Sequence, residues 1–179
     1  DWSSDVCSSD LDSIYPFPHL AGSGLAFKVA QGILDGHPRR REILAELSVL
    51  AMIGGVADMV PIADEFRVIV RTALRVLNGA ASVPPGISAL LARARVEGPH
   101  RVDVVGFTLA PRINAAGRVG DARPALELLT CEDPLEALRL AEELEQSNEQ
   151  RKAIARDALA DARTLLGAGD TAADEGRAM

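Results

Sequence analysis

The sequence has few of the residues from which disulfide frameworks and metal clusters are built. Among its 179 residues there are 2 cysteines and 3 histidines. Cys7 and Cys131 do not form a C-x-x-C pair, and no histidine stands at metal-ligand spacing from another. The sequence therefore indicates neither a disulfide framework nor a zinc site.

Long uncharged apolar runs are also missing. The best candidate, residues 43–62, is interrupted by Glu46 and Asp58, whereas a membrane-spanning helix needs about 20 apolar residues. No segment has the pattern of a signal peptide. The sequence thus predicts a cytoplasmic protein without a membrane span.

Positive charge is in deficit, because the net charge is −7 at pH 7 and Lys28 and Lys152 are the only lysines. This balance argues against a protein that coats nucleic acid through bulk charge. A local basic groove is still allowed, since charges are screened beyond about 8 Å in physiological salt.

Composition divides the chain into four parts. Residues 1–11 (DWSSDVCSSDL) are rich in Ser and Asp and have no apolar period. They look like the translation of a sequencing adaptor and are excluded from the fold. Residues 12–130 have the apolar content of a domain core, residues 131–166 predict one long helix, and residues 167–179 are small and polar and predict a disordered tail.

Apolar spacing predicts a mainly α-helical fold with no confident strand. The first helix is expected from about Ser23 to Leu34, since Leu25, Val29 and Ile33 repeat at i+4. A second helix (PRRREILAELSVLAMIGG) is expected to break at its double glycine. Further helices are predicted in DEFRVIVRTALRVL, in PPGISALLARARV and from Asp103 onwards, the last being restarted or bent at a proline.

The long helix has the clearest start signal. Asp133 stands at the N-cap position, Pro134 in the first turn and Glu136 three residues after the cap, which is the pattern of a capping box. The helix is expected to continue to about Leu166, roughly 50 Å at 1.5 Å per residue, and so to connect two domains. The weakest helical stretch, QSN, could kink it.

One carboxylate stands in apolar surroundings. In LAMIGGVADMVPI, Asp58 follows two glycines and a Val-Ala pair and precedes Met-Val-Pro, so burial is expected. A buried carboxylate needs hydrogen-bond donors, a cation or a metal. Asp58 could equally cap a turn, and a single carboxylate does not define a divalent-metal site.

The segment FTLAPRINAAGRVGD combines cationic and small residues. Arg112 and Arg118 can each offer paired donors to a phosphate, and Asn114 adds a neutral amide. The intervening Ala-Ala-Gly is expected to let a ligand approach the backbone. The alternative is a turn in which the arginines pair with nearby acids such as Asp103 or Asp121.

Taken in order, five segments resemble the RecJ family, single-strand-specific 5′-to-3′ exonucleases of the DHH phosphoesterase superfamily. They are YPFPHLAGSGLAFK, GGVADMVPI, PPGISALL, GFTLAPRINAAGR and the N-x-x-R-K of residues 148–152. The resemblance extends from about Tyr15 to Leu166 and identifies the chain as part of a longer protein.

The resemblance implies a fold, an activity and roles for particular residues. Residues 12–130 would be the C-terminal part of an α/β DHH-type catalytic domain, followed by the interdomain helix. The activity would be metal-dependent hydrolysis of single-stranded DNA in repair and recombination. Asp58 would ligate one ion of a two-metal Mn²⁺ or Mg²⁺ site, and Arg112, Asn114 and Arg118 would lie near the substrate backbone. Single-strand-binding protein and recombination helicases are the implied partners.

Two departures from the family pattern bear on activity. Gly55 stands where the family commonly has threonine, which is expected to loosen the turn that aims Asp58. The aspartate-rich and Asp-His-His motifs would precede Tyr15, where adaptor-like sequence stands, so the fragment is predicted to be inactive alone. The alternatives are another DHH-family phosphodiesterase, acting on short oligonucleotides, and a non-catalytic helical interaction module.

Overall fold

The computed structural model describes residues 15–80 and 83–175, and the side chains among residues 15–79 and 83–166. These residues form eight α-helices and no strand, as expected of a mainly helical segment. The helices are α1 (Gly22–Ile33), α2 (Arg40–Ala57), α3 (Asp64–Arg75), α4 (Pro85–Arg93), the single turn α5 (Val102–Val104), α6 (Ala110–Val119), α7 (Arg123–Thr130) and α8 (Pro134–Glu175). The adaptor-like residues 1–11 lie outside this range.

Two stretches of wider, π-helical turns adjoin the regular helices. Val76–Ala80 follows α3, and Val105–Leu109 joins α5 to α6. Pro111 is the second residue of α6. The backbone is helical without a break from Val102 to Val119, and the wider turns lie directly before the proline. The expected restart is therefore not found, and a bend at Pro111 stays a prediction.

Helix α2 does not break at its double glycine, and that prediction is wrong. The helix continues through Gly54 and Gly55 to Ala57. A side chain on Gly54 would overlap Ser23 of α1, and one on Gly55 would overlap the ring of Phe66 of α3. The two glycines therefore let α1 and α3 pack closely on α2, and this packing offsets their low helix propensity.

Helix α1 forms where the sequence predicts it, but its i+4 repeat does not face the core. Leu25, Val29 and Ile33 are exposed, whereas Gly24 and Phe27 are buried. The helix thus packs on α2 through its small residues and one aromatic ring, with the hydroxyl of Ser23 donating to the carbonyl of Ala51 (3.3 Å).

The first half of α8 packs against α4, α6 and α7. Its inward face is buried and consists of Ala137, Leu140, Ala141, Leu144, Glu145 and Asn148. Beyond Ala153 every α8 side chain that the structure describes is exposed. The helix therefore leaves the packed helices after that residue.

The start of α8 is the one that the sequence predicts. The carboxylate of Asp133 accepts the N–H of Leu135 (3.0 Å), and Pro134 is the first helical residue. Glu136 pairs with Arg139 (2.7 Å) and does not complete a capping box. The helix runs unbroken through residues 146–148 and continues to Glu175, past the expected end at residue 166. Residues 167–175, expected to be disordered, are therefore helical.

Across the described ranges, no helix is both long and apolar enough to span a membrane.

Candidate nucleic-acid-binding cleft

The segment that contains the predicted phosphate ligands is helix α6. Asn114 and Arg118 are four residues apart and share one face of it. Both side chains are exposed. Neither makes a hydrogen bond or an ion pair with another residue that the structure describes, so both are available to a ligand.

The small residues of α6 serve helix packing. Ala115 and Ala116 are buried, with 0% and 3% of their surface exposed, where α6 packs on α8 and α2. A Cβ on Gly117 would lie 3.6 Å from that of Ala122, an ordinary contact. The expectation that the two alanines open the backbone to a ligand is wrong, because both are turned to the core. Gly117 is exposed, and for this residue the expectation stays a prediction.

Arg112 lies on a different face of α6 and is paired with α8. Its Nε and Nη2 donate to the two carboxylate oxygens of Glu145 (2.6 and 3.2 Å), and its Nη1 donates to the carbonyl of Thr108 (2.9 Å). The side chains of Arg112 and Glu145 are 14% and 8% exposed. Arg112 thus anchors α6 to α8, and its role as a phosphate ligand stays a prediction.

A cleft of about 660 Å³ lies between the end of α2, the α5–α6 region and α8. Asn114 and Arg118 line it, together with Asp103 and Arg151. The remaining lining is apolar or backbone and consists of Val56, Ala57, Met59, Val102, Gly106, Phe107, Ala110 and Pro111. The cleft therefore combines two guanidinium groups, an amide and one carboxylate with an apolar surface.

Asp58 follows α2 directly and is exposed, so the expectation of burial is wrong. The helix ends there, and the residue extends past the packed turns that bury Ile53 and Gly55. Its N–H donates to the carbonyl of Gly54 (3.0 Å). Its carboxylate bonds to no residue in the described part of the chain, and so it does not cap its own turn.

Asp58 lies at the edge of the cleft and at the C-terminus of α2. Its two chain neighbours, Ala57 and Met59, line the cleft, which places Asp58 at the cleft's edge. A carboxylate at the C-terminus of a helix is repelled by the helix dipole. Met59 has a φ of 56°, a left-handed conformation that is uncommon for a residue with a side chain and costs of order 1 kcal/mol.

The described residues do not complete a metal site. No group of three or more His, Cys, Asp or Glu side chains in residues 15–79 and 83–166 is arranged to hold a metal ion. Divalent cations usually need several oxygen or nitrogen ligands. Asp58 fits the role of a single ligand, and any others would have to come from elsewhere.

Arg151 is the cleft residue that sequence reasoning missed. In the sequence, Asn148 and Arg151 stand out only as part of the N-x-x-R-K segment. Their i, i+3 spacing places both on one face of α8, and Arg151 Nη2 donates to the Oδ1 of Asn148 (3.0 Å). The available signal was a polar pair on the helix face that otherwise carries Leu140 and Leu144.

Comparison with known proteins found relatives of one kind. No family model matches the chain. It is 42% identical over 139 residues to the single-stranded-DNA-specific exonuclease RecJ of Bacillus subtilis, covering 77% of this chain and 17% of that protein. It is 35% identical over 164 residues to RecJ of Escherichia coli, covering 86% and 28%. The chain thus spans less than a third of the length of these relatives.

Solved structures agree with the sequence relatives. RecJ of Thermus thermophilus in complex with Mn²⁺ superposes with a TM-score of 0.71 at 31% identity, covering 79% of this chain and 21% of that one. A second structure, exonuclease RecJ bound to manganese, gives 0.72 at 30% identity, covering 84% and 37%. The Thermus protein has also been solved with Mg²⁺.

Proposed function

Because this chain belongs to the RecJ family, we propose that it forms the substrate-backbone side of a single-stranded-DNA exonuclease site. It spans between 16% and 28% of the length of the curated relatives that it matches. The intact protein would hydrolyse phosphodiester bonds from the 5′ end, in DNA repair and recombination, in the cytoplasm. Single-strand-binding protein and recombination helicases stay predicted partners.

The observation that carries this proposal is the cleft itself. It brings the free guanidinium of Arg118 and the free amide of Asn114 into one cavity with the residues on both sides of Asp58. Guanidinium groups bind phosphate oxygens through paired, charge-assisted hydrogen bonds. Donors fixed on a helix are also preorganised to offset the charge that develops on a phosphate during hydrolysis.

We infer that Asp58 supplies one ligand to a divalent ion whose other ligands come from parts of the protein outside the described residues. When bound, such ions activate water and stabilise charge on the phosphate. The exposed, unpaired carboxylate at the helix C-terminus suits this role, since a cation would relieve its repulsion by the helix dipole. The described residues alone would then be inactive, because they hold a single ligand.

The apolar part of the cleft favours a single strand over a duplex. Met59 and Phe107 line it and are 88% and 85% exposed. Nucleobases of a single strand can stack on such side chains, whereas the bases of a duplex are already stacked on one another.

The interaction-module alternative is less well supported. It requires Asp58 to cap a turn and both arginines to form ion pairs. Arg112 does pair with Glu145, but Asp58 and Arg118 have no partner in the described part of the chain.

The test uses the full reading frame that contains this segment. Wild type, Asp58→Asn, Arg118→Ala and the control Arg139→Ala would be assayed with Mn²⁺ on long single strands, duplexes and short oligonucleotides. Arg139 is exposed and paired within α8, so its variant controls for loss of one charge. We expect Asp58→Asn to abolish hydrolysis and to weaken Mn²⁺ binding measured by calorimetry. We expect Arg118→Ala to lower kcat/KM on long single strands about tenfold or more.

The outcomes separate the candidates. Full activity in both Asp58→Asn and Arg118→Ala would contradict the nuclease assignment and support an interaction module. Hydrolysis confined to short oligonucleotides would support another DHH-family phosphodiesterase.

A further inference from the structure

Arg151 belongs to α8, which the sequence predicts to connect two domains, yet its side chain lines the same cleft as Asn114 and Arg118. It lies two residues before Ala153, after which α8 leaves the packed helices. The cleft is therefore lined by a cationic group on α8 as well as by one on α6.

The guanidinium of Arg151 is incompletely satisfied. Its Nε is buried and has no hydrogen-bond partner, and its Nη2 donates to the neutral amide of Asn148. No carboxylate of the described residues forms an ion pair with it. Leaving a charged donor without a partner costs more than leaving a neutral one. Because Nε is buried, a ligand in the cleft would not bond to it, but an anionic ligand there would stabilise the unpaired positive charge of the guanidinium.

Arg112 gives the contrast within the same pair of helices. There, a guanidinium between α6 and α8 meets Glu145 and uses both carboxylate oxygens. The acid that lines the cleft is Asp103, and one of its carboxylate oxygens accepts the N–H of Val104 (3.0 Å). Arg112 is thus paired with a carboxylate, whereas Arg151 forms no ion pair with Asp103 or with any other acid that the structure describes, although Asp103 lines the same cleft.

Asn148 fixes the direction of Arg151. It is 1% exposed and lies one turn before Arg151 on the same helix. Its Oδ1 accepts from Nη2 at 3.0 Å, and burial holds the amide in place. An amide orients a guanidinium without neutralising it, which leaves the charge for a ligand.

We propose that Arg151 is a second phosphate-binding residue of the cleft, so that α8 forms one wall of the nucleic-acid site. The ligand is a phosphodiester group of a single strand, held between Arg118 on α6 and Arg151 on α8. This inference rests on the proposed function and adds the connecting helix to the substrate site.

The test measures binding of the 179-residue chain to a fluorescein-labelled oligothymidylate at several salt concentrations. Arg151→Met removes the charge and keeps the apolar stem. Arg163→Met makes the same charge change on the exposed half of α8, about 18 Å further along the helix. We expect Arg151→Met to weaken binding about tenfold and to reduce the slope of log affinity against log salt by about 0.7. Arg163→Met should stay within about twofold of wild type.

A labelling experiment on the unmodified chain removes any dependence on the folding of a variant. Phenylglyoxal modifies accessible guanidinium groups, and mass spectrometry locates the modified arginines. The oligonucleotide should protect Arg118 and Arg151 and leave Arg163 reactive. Reactivity of Arg151 that does not change with the oligonucleotide would overturn the inference.

The Arg118→Met variant separates the two proposals. Loss of affinity in Arg118→Met without loss in Arg151→Met would refute the role of Arg151 and leave the proposed function standing. Absence of binding by the wild-type chain, or unchanged affinity in both variants, would count against both proposals.

Discussion

The ring of Phe66 occupies the space that a side chain on Gly55 would need. Phe66 is 1% exposed and contacts α2 where a Cβ on Gly55 would have to stand. The close contact between α2 and α3 therefore requires glycine at this position, where the family resemblance led us to expect threonine. The turn before Asp58 is a regular end of α2, and the expected loosening at Gly55 is not found.

Substituting Gly55 should destabilise the protein. Gly55→Ala forces Phe66 to move in a filled core, which typically costs about 1–3 kcal/mol. The change would be measured as the free energy of unfolding in urea. Gly117→Ala is the matched control, because its Cβ would make an ordinary contact, and we expect a neutral effect or a gain of up to about 1 kcal/mol. Combining Gly55→Ala with Phe66→Leu should cost less than the sum of the two changes; strict additivity would argue against the contact.

Substitutions of the two arginines of α6 should differ in their effect on the free energy of unfolding. Arg112→Ala leaves the largely buried Glu145 without its partner and should lower the free energy of unfolding by about 3 kcal/mol or more. Arg118→Ala removes an exposed side chain and should change it by less than about 0.5 kcal/mol.

A double replacement checks the cause. Arg112→Met with Glu145→Leu removes both charges, so it should recover much of the stability that Arg112→Ala loses. Equal stability of Arg112→Ala and Arg118→Ala would contradict the distinction between the two sites.

Local signals predicted the start of α8 well. The N-cap at Asp133 and the proline after it are adjacent in sequence, and the preferences of such residues hold in most surroundings. The double glycine was misread because its meaning is set by α1 and α3, which approach from distant parts of the chain. Periodicity alone likewise could not tell which face of α1 is buried.

The site was predictable in its residue types but not in their arrangement. Asn114 and Arg118 line the same cleft, since i, i+4 residues share a helix face, and their role as phosphate ligands stays a prediction. The pairing of Arg112 with Glu145 and the position of Arg151 depend on the register between α6 and α8. The register is the position of one helix relative to the other, so it could not be deduced from the sequence of either helix alone.

Acid should weaken the contact between α4 and α8. The guanidinium of Arg93 donates hydrogen bonds to Glu142, which lowers the pKa of that carboxyl from its ordinary value of 4.5. A lowered folded-state pKa stabilises the fold above pH 4.5, and the gain is lost as pH falls through the lower folded value. Glu142→Gln should therefore reduce stability at pH 7, with a difference from wild type that shrinks below about pH 4.5.

The control for this pH dependence is Glu127→Gln. Glu127 is exposed and forms no ion pair with the residues that the structure describes. The Glu142 difference should also shrink in about 1 M NaCl, because the pair is about half exposed and salt screens it. A difference that persists unchanged at about pH 3 would show that the hydrogen-bonded pair is not its source.

Phe107 should contribute to binding of single strands and not to stability. Its ring is 85% exposed and lines the cleft, so Phe107→Ala removes little buried surface and should leave the free energy of unfolding within about 0.5 kcal/mol. If a nucleobase stacks on the ring, the variant loses about 1–3 kcal/mol of binding energy, which is roughly a fivefold to hundredfold rise in Kd. The control is Leu135→Ala, because Leu135 is also apolar and exposed (76%) but does not line the cleft. This variant should leave Kd unchanged.

The salt dependence of binding separates stacking from phosphate contacts. Because stacking is independent of salt whereas phosphate contacts are not, Phe107→Ala should keep the wild-type slope of log affinity against log salt, which Arg118→Ala reduces. An equal loss of slope in both variants would show that the ring acts by positioning the arginine instead of contacting a base.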